Sequence, residues 1–297
     1  MSSPFFTVII PTHNRAGRLG KTIASVLNQD EKDFELIIVD DGSTDDTSSV
    51  VEAIGDDRIR YLWQENRERA AARNTGVSVS RGAYVTFLDS DDLLYPEHLR
   101  TVREALRSMG LPPVYHQAYE VIDDAGKLVS RLNIPGGRIN RLLFTRGNIM
   151  SCQGVFVQRV ILSDNRFNES PVLTGLEDWE LWIRLAAHYP IPHGEVVTSA
   201  LVQHKERSVM ANSAEVLITR KNAFKAAIGQ NKTLTSMYAE VLPVLWANIS
   251  TYVSLHLSEM PSRKFQAITY LIQGIRQSPG ILMRRRTWAI LRNILLR

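Results

Sequence analysis

Asp89-Ser90-Asp91-Asp92 sets three carboxylates within four residues, directly after the apolar run Ala83 to Leu88. Carboxylates that close cannot all stay ionised unaided: two unit charges ~4 Å apart repel by roughly 4 kcal/mol at an effective dielectric of about 20. A hard divalent cation removes the conflict, and oxygen-only ligands suit manganese or magnesium rather than zinc. A metal held by one or two carboxylates usually completes its shell with substrate phosphates, which points to a nucleotide diphosphate. The same residues also fit a solvated turn in which Asp92 caps a helix starting near Tyr95.

Three further segments carry chemistry in the same open way. Asp40-Asp41-Gly42-Ser43 follows the run Phe34 to Val39. A carboxylate there can accept hydrogen bonds from the N–H groups of a nucleobase, or it forms a turn whose Ser43 caps the next helix. Ala71-Ala72-Arg73-Asn74-Thr75-Gly76 has the small residues of a helix packed close to a sheet. Its Arg73 reaches a phosphate or locks Asp89 or Asp91 in place. Glu177-Asp178-Trp179-Glu180-Leu181-Trp182 opens a helix, where acids suit the positive end of the dipole. A carboxylate beside Trp179 and Trp182 is partly desolvated, which raises its pKa and suits a general base.

The elements that must position these groups alternate between strand and helix. The runs Phe5 to Ile10, Phe34 to Val39, Arg58 to Trp63 and Ala83 to Leu88 predict strands, and Arg18 to Asn28 and Glu68 to Ser80 predict helices. The rhythm predicts a mostly parallel sheet, in which ligands bind at the carboxyl ends of the strands. Three of the four runs end there in polar residues, at Pro11-Thr12, Asp40-Asp41 and Asp89. From Pro112 the pattern changes. Val114 to Ile122, Met150 to Gln158 and Val196 to Gln203 predict strands, with a hairpin turn at Asp124 to Lys127 and a helix over Asp178 to His188. After Met210 it predicts four helices: Ala214 to Ile228, Leu234 to Leu257, Arg263 to Gln273 and Leu282 to Leu296.

The 297 residues suffice for one α/β domain of about 200–250 residues plus an appendage. A hydrophobic content of 44% with 22% charged residues excludes a disordered chain. The single cysteine, Cys152, leaves no intrachain disulfide and no cysteine-cluster metal site, and it fits a reducing compartment. No apolar run reaches the ~20 residues of a membrane-spanning helix, and Met1 to Phe6 lacks the layout of a signal peptide. A cytoplasmic location is the expectation. The end of the chain, with Arg284, Arg285, Arg286, Arg292 and Arg297, suits an anionic surface such as lipid headgroups or nucleic acid.

Taken in order, Phe6-Thr7-Val8-Ile9-Ile10-Pro11-Thr12-His13-Asn14-Arg15, Val39-Asp40-Asp41-Gly42-Ser43-Thr44-Asp45, Ala72-Arg73-Asn74-Thr75-Gly76, Phe87-Leu88-Asp89-Ser90-Asp91-Asp92 and Glu177-Asp178 resemble a family 2 glycosyltransferase over roughly residues 5–210. The resemblance implies the GT-A fold: α/β, Rossmann-like, with a mostly parallel central sheet, helices on both faces and a C-terminal helical region. It divides the chain into a glycosyltransferase domain over 1–210, whose nucleotide-binding half is about 1–110 and acceptor half about 111–210, and a helical region over 211–297. By the same resemblance Pro11 and Thr12 border the base, Asp40 binds its edge, and Asn14, Arg73 and Ser90 belong to the nucleotide-sugar site. Asp89-Ser90-Asp91 matches the DXD motif, with Asp89 near the ribose and Asp91 on the metal, Mn2+ or Mg2+. Asp178 matches the catalytic base, and His204 falls where relatives often keep a histidine near the diphosphate or metal. The family usually has a glycine soon after the position of Asn66, where this chain reads Arg67-Glu68-Arg69.

Such an enzyme inverts configuration in one displacement, taking a sugar from a nucleotide-sugar, with UDP favoured, to an acceptor hydroxyl. A glycan or lipid-linked glycan of surface polysaccharide is the expected acceptor, and nucleic acid is not an expected partner. Trp288, Leu291 and Leu295 share one helical face, so the last helix would lie at the inner face of a membrane or pack on its own domain or a second subunit. A nucleotidyltransferase needs a Gly-rich phosphate loop that Pro11 to Gly20 does not provide, and no G-x-G-x-x-G marks a dehydrogenase. Glu177 and Asp178 point about 100° apart on a helix, which does not suit the facing pair of a glycosidase. A binding module with a degraded site would lack Asp91 or Asp178, and both are present.

Overall fold

The computed structural model describes residues 3–204 and 213–296. Contacts divide the chain into two compact units: Met1–Ile139, Met150–Leu181 and His188–Arg207 form the first, and Asn140–Ile149, Trp182–Ala187 and Ser208–Arg297 the second.

The first unit opens with β1 (Phe6–Thr12), α1 (Ala16–Leu27), β2 (Phe34–Asp41), α2 (Thr47–Glu52), β3 (Ile59–Gln64), α3 (Glu68–Val79) and β4 (Tyr84–Phe87). β1, β2 and β4 are buried along their whole length, which is why they read as unbroken apolar runs. Pro11 does not end β1 as its missing N–H predicts. β4 pairs with β1 only up to Ile9, so beyond it β1 has β2 alone as neighbour and runs on through Thr12 opposite Asp40. α3 lies tight on this sheet. A Cβ at Gly76 would stand 2.6 Å from Ile9 Cγ2, so no larger residue fits without shifting the strand.

There follow β5 (Leu93–Leu94), α4 (His98–Ser108), β6 (Val114–Gln117), β7 (Glu120–Asp123), β8 (Leu128–Arg131) and β9 (Gly137–Arg138). After α5 (Asn140–Thr145) come β10 (Val155–Gln158), α6 (Arg159–Asp164), α7 (Glu177–Ala186), β11 (Pro192–Gly194) and β12 (Ser199–Gln203). The main sheet has the order β3-β2-β1-β4-β10-β6-β11-β9, parallel from β3 to β4 and joined to the rest through antiparallel β10. A second sheet runs β5-β12-β7-β8. The single strand expected over Val114 to Ile122 is therefore two strands in two sheets. Both are well buried and no Gly or Pro marks the break, so the apolar pattern ran through it.

The second unit contains α5, the part of α7 from Trp182 on, α8 (Ala214–Gln230), α9 (Lys232–Met237), α10 (Leu242–Ser258), α11 (Lys264–Gln277) and α12 (Arg285–Leu296). The helix expected over Leu234 to Leu257 is divided because Pro243, which tolerates only a first helical turn, starts α10 afresh. The expected last helix likewise begins as a 3-10 turn, Pro279–Met283, before α12. None of the described helices is long and apolar enough to cross a membrane.

Candidate active site

The parallel strands deliver their polar ends to one edge. Asp40, 1% exposed, accepts from Ser43 N at 2.8 Å through one oxygen and from the Tyr61 hydroxyl at 2.6 Å through the other. Burial and this bond raise the Tyr61 pKa, so the phenol stays a donor and Asp40 an acceptor. Asp41 accepts from Gln64 Nε2 at 2.6 Å and Arg67 N at 3.0 Å. Ser43 is not the expected helix cap: α2 starts only at Thr47, and Ser43 Oγ accepts instead from Asn14 N at 2.8 Å. Asn14 sits at φ 51°, a left-handed conformation that Asn tolerates, and its side-chain oxygen accepts from Thr44 N at 2.8 Å. Thr12 Oγ1 is buried without a hydrogen-bond partner among the described residues.

Asn66 closes over Gly42, whose φ of 79° and 2.8 Å Cβ approach to Asn66 N admit only glycine. The next turn departs from that economy. Glu68 takes φ 70° at the start of α3, a conformation that favours glycine.

Arg73, also 1% exposed, ties two distant elements together. One guanidinium nitrogen donates to Asp89 at 2.7 Å, the other to Glu177 at 2.9 Å, and the group lies 5.3 Å from the Phe167 ring centre. Burial opposes its charge, but the surrounding acidic groups outweigh that, and its pKa stands well above the ordinary value. Of the two acids expected for the lock, Arg73 holds Asp89 and not Asp91. Asp178 follows Glu177 in the first turn of α7; it is half-buried and accepts from Trp179 N at 2.7 Å. Its other oxygen lies 4.0 Å from Cys152 Sγ. Burial pushes the Cys152 thiol far up, so it stays protonated.

On the other side of the DXD run, Asp91 meets His204 Nε2 at 2.8 Å. Asp92 is buried and accepts from Val202 N at 2.9 Å, so it fixes β12 and does not cap a helix near Tyr95. The backbone carbonyl of Ser90, itself buried, accepts from Thr22 Oγ1 at 3.0 Å. Ligand atoms of Asp89, Asp91 and Asp92 lie within 4.8 Å of one another. One Asp92 oxygen is held by Val202 N and one Asp89 oxygen by Arg73, and these three carboxylates, with His204 against Asp91, are the groups that could hold a divalent cation. The Nδ1 of His204 is buried and meets no partner among the described residues, so no second bond ties the ring to another role. A cavity of about 500 Å³ adjoins Asp91, lined also by Arg18, Lys21, Asp123 and Asp124.

The profile of glycosyl transferase family 2 matches residues 7–164, more than half of the chain. The chain belongs to glycosyl transferase family 2. It is 34% identical over 186 residues to an uncharacterised glycosyltransferase of Rickettsia bellii, covering 61% of this chain and 26% of that one. It is also 34% identical over 174 residues to the Campylobacter jejuni GalNAc(5)-diNAcBac-PP-undecaprenol beta-1,3-glucosyltransferase, covering 56% of this chain and 55% of that one. The chain spans about a quarter to a third of the length of the first three curated relatives it matches. Among solved structures, S. aureus TarS 1-349 superposes with a TM-score of 0.71 at 18% identity, over 99% of this chain and 88% of that one. The same protein has been solved with UDP-GlcNAc, with a TM-score of 0.65 over 95% of this chain and 91% of that one, at 17% identity. The fold is GT-A.

Within this family 2 chain, the structure brings together Asp40, Thr12 and Asn14 on one stretch of the edge, Asp89 with Arg73, and Asp91 with His204. Pro11 lies buried in β1 beside them. Tyr61 and Gln64, which hold Asp40 and Asp41, were absent from the expectation. Their signal was only the register of β2 on β3, which places Asp41 opposite Gln64.

Proposed function

We propose that this chain is an inverting, metal-assisted glycosyltransferase that moves a sugar from a UDP-sugar to an acceptor hydroxyl in glycan or surface-polysaccharide assembly. The observation carrying this reading is the two-sided DXD run, with Asp91 against His204 on one side and Asp89 tied through Arg73 to the helix that bears Asp178 on the other. The TarS complex with UDP-GlcNAc supports a UDP donor. The undecaprenol-linked substrate in the Campylobacter relative's name supports a lipid-linked or polymeric acceptor.

In this reading Asp40, its carboxylate oriented by Tyr61 and Ser43, accepts from the N–H of the base. Thr12 and Asn14 line the nucleotide, and Asp89, oriented by Arg73, serves the ribose. A divalent cation, Mn2+ or Mg2+, held by Asp91 and His204 would supply charge neutralisation for the departing diphosphate. Asp178 takes the proton of the acceptor hydroxyl as that oxygen attacks the anomeric carbon. Arg73 stays cationic throughout and holds Glu177, hence the first turn of α7, in place. One displacement inverts the configuration.

The test is a thermal-shift panel of UDP-, GDP-, dTDP- and CMP-sugars with manganese, magnesium or EDTA. A donor at a hundred times its Kd stabilises the native state by about 2.7 kcal/mol. The expected result is a metal-dependent shift with UDP-sugars that disappears in Asp91→Asn. Asp178→Asn should keep the shift and lose about 10²–10⁴ in turnover. A shift that survives Asp91→Asn unchanged overturns the metal assignment.

A further inference from the structure

We propose that the C-terminal helices of the second unit form a docking face for an anionic lipid bilayer. The last 38 residues, from Met260 on, carry eight arginines and lysines and no acid. On that background, large apolar side chains stand out into solvent: Phe265 is 82% exposed, Met283 88%, Trp288 64% and Leu295 78%. Surface apolar residues are ordinary when scattered, whereas a contiguous group rimmed by charge marks a contact surface.

The helices gather these residues. On α11, Phe265, Ile268 and Ile272 recur at i, i+3 and i+7 and are all exposed, while Ala267, Leu271 and Gly274 face inward. On α12, Arg285, Trp288, Arg292 and Leu295 form one exposed stripe, with Thr287, Ile290 and Asn293 buried behind it. Lys264 Nζ donates to Ile294 O at 3.3 Å, so the start of α11 meets the end of α12. The turn Pro279–Met283 joins the opposite ends and presents Met283.

The cations sort in the same way. Arg284 and Arg286 turn inward and donate to Thr145 O and Asn248 O, and Arg263 pairs with Glu215. Arg276, Arg285 and Arg292 remain exposed. Side chains that protrude this far suit a soft medium better than a rigid protein pocket. Trp and Phe settle at the headgroup level, and arginines reach phosphates while their stems stay in the apolar layer. A second copy of the same face would bring only positive charge against positive charge.

The experiment is co-sedimentation of the full chain with vesicles of phosphatidylcholine alone and of phosphatidylcholine with phosphatidylglycerol. Binding to the anionic vesicles only, weakened by salt, is expected. Arg285→Ala and Arg292→Ala should each lower the partition about fivefold, the effect of one basic side chain at an anionic surface. Phe265→Ser should lower it by about tenfold. Quenching of tryptophan fluorescence by brominated lipid should largely vanish in Trp288→Phe. All four variants should melt like the parent and keep its UDP-sugar thermal shift, which separates this inference from the transferase reading. Absence of binding, equal binding to neutral vesicles, or binding untouched by the variants overturns it. So does a dimer in sedimentation equilibrium that Phe265→Ser dissolves, because a second copy would then own the face.

Discussion

Arg73 and the pair Arg284 and Arg286 are all cations withdrawn from water, yet the two regions hold them in opposite ways. Arg73 sits between two carboxylates, and the acidic surroundings keep it firmly charged. Arg284 and Arg286 have no carboxylate partner among the described residues. Arg284 donates to Thr145 O at 2.7 Å and to the Asn248 side chain, and Arg286 to Asn248 O at 3.1 Å. Burial lowers both their pKa values, and for Arg286 the neighbouring Arg284 adds to the effect. In the first unit a buried cation organises acids of the candidate site. In the second, Arg284 joins Asn248 Nδ2 on the carbonyls at the end of α5, as helix C-termini require, and Arg286 reaches a carbonyl of α10.

The sharpest way to break this contrast is Arg73→Ala. It removes the guanidinium shared by buried Glu177 and Asp89, leaving Arg69 3.9 Å from Glu177, and should destabilise the fold by about 3–5 kcal/mol in urea unfolding. Arg73→Lys keeps a charge but cannot fork between two acids, so it should recover part of the stability and little of the turnover.

A buried group that stays neutral offers the next test. His98 is fully buried, its Nε2–H donating to Gln153 O at 3.1 Å and its Nδ1 accepting from Thr198 Oγ1 at 2.7 Å. Burial pulls its pKa from the usual 6.5 to about 4. As pH falls below 6.5 the unfolded chain gains a proton that the folded chain refuses until about pH 4, so stability is lost across that window. Urea unfolding at pH 5 should show about 2 kcal/mol less stability than at pH 7 from this residue alone, a difference removed in His98→Gln.

Arg284→Met should cost only about 1 kcal/mol, because it leaves neutral carbonyls and no stranded charge. If its cost equals that of Arg73→Ala, the distinction between the two regions fails. The smallest effect expected is at Glu68. Relief of its left-handed backbone in Glu68→Gly should raise stability by up to about 1 kcal/mol.

Much of the first unit was legible because it is built from short-range signals. The runs ending in Thr12, Asp41 and Asp89 are continuous apolar strands between helices, and each carries its polar end with it. The misreadings share a cause. Ser43 was read as a cap from its type alone, but its hydroxyl is claimed by Asn14, a residue on another loop. Asp92 looked like a cap too, and instead holds Val202. The Val114 to Ile122 run divided because chain path, not residue type, assigns its halves to different sheets.

The sequence by itself determined the α/β rhythm, the acidic edge, and the family through motifs that local backbone geometry keeps in order. Tertiary structure decided which acid meets which base. Arg73 and Glu177 are 104 residues apart, and Asp91 and His204 are 113 apart. Periodicity and propensity act over a few residues, whereas these pairings follow from where a strand end, a helix start and a second sheet come to rest. The same limit explains the arginine run, in which Arg284 and Arg286 turn inward while Arg285 stays exposed.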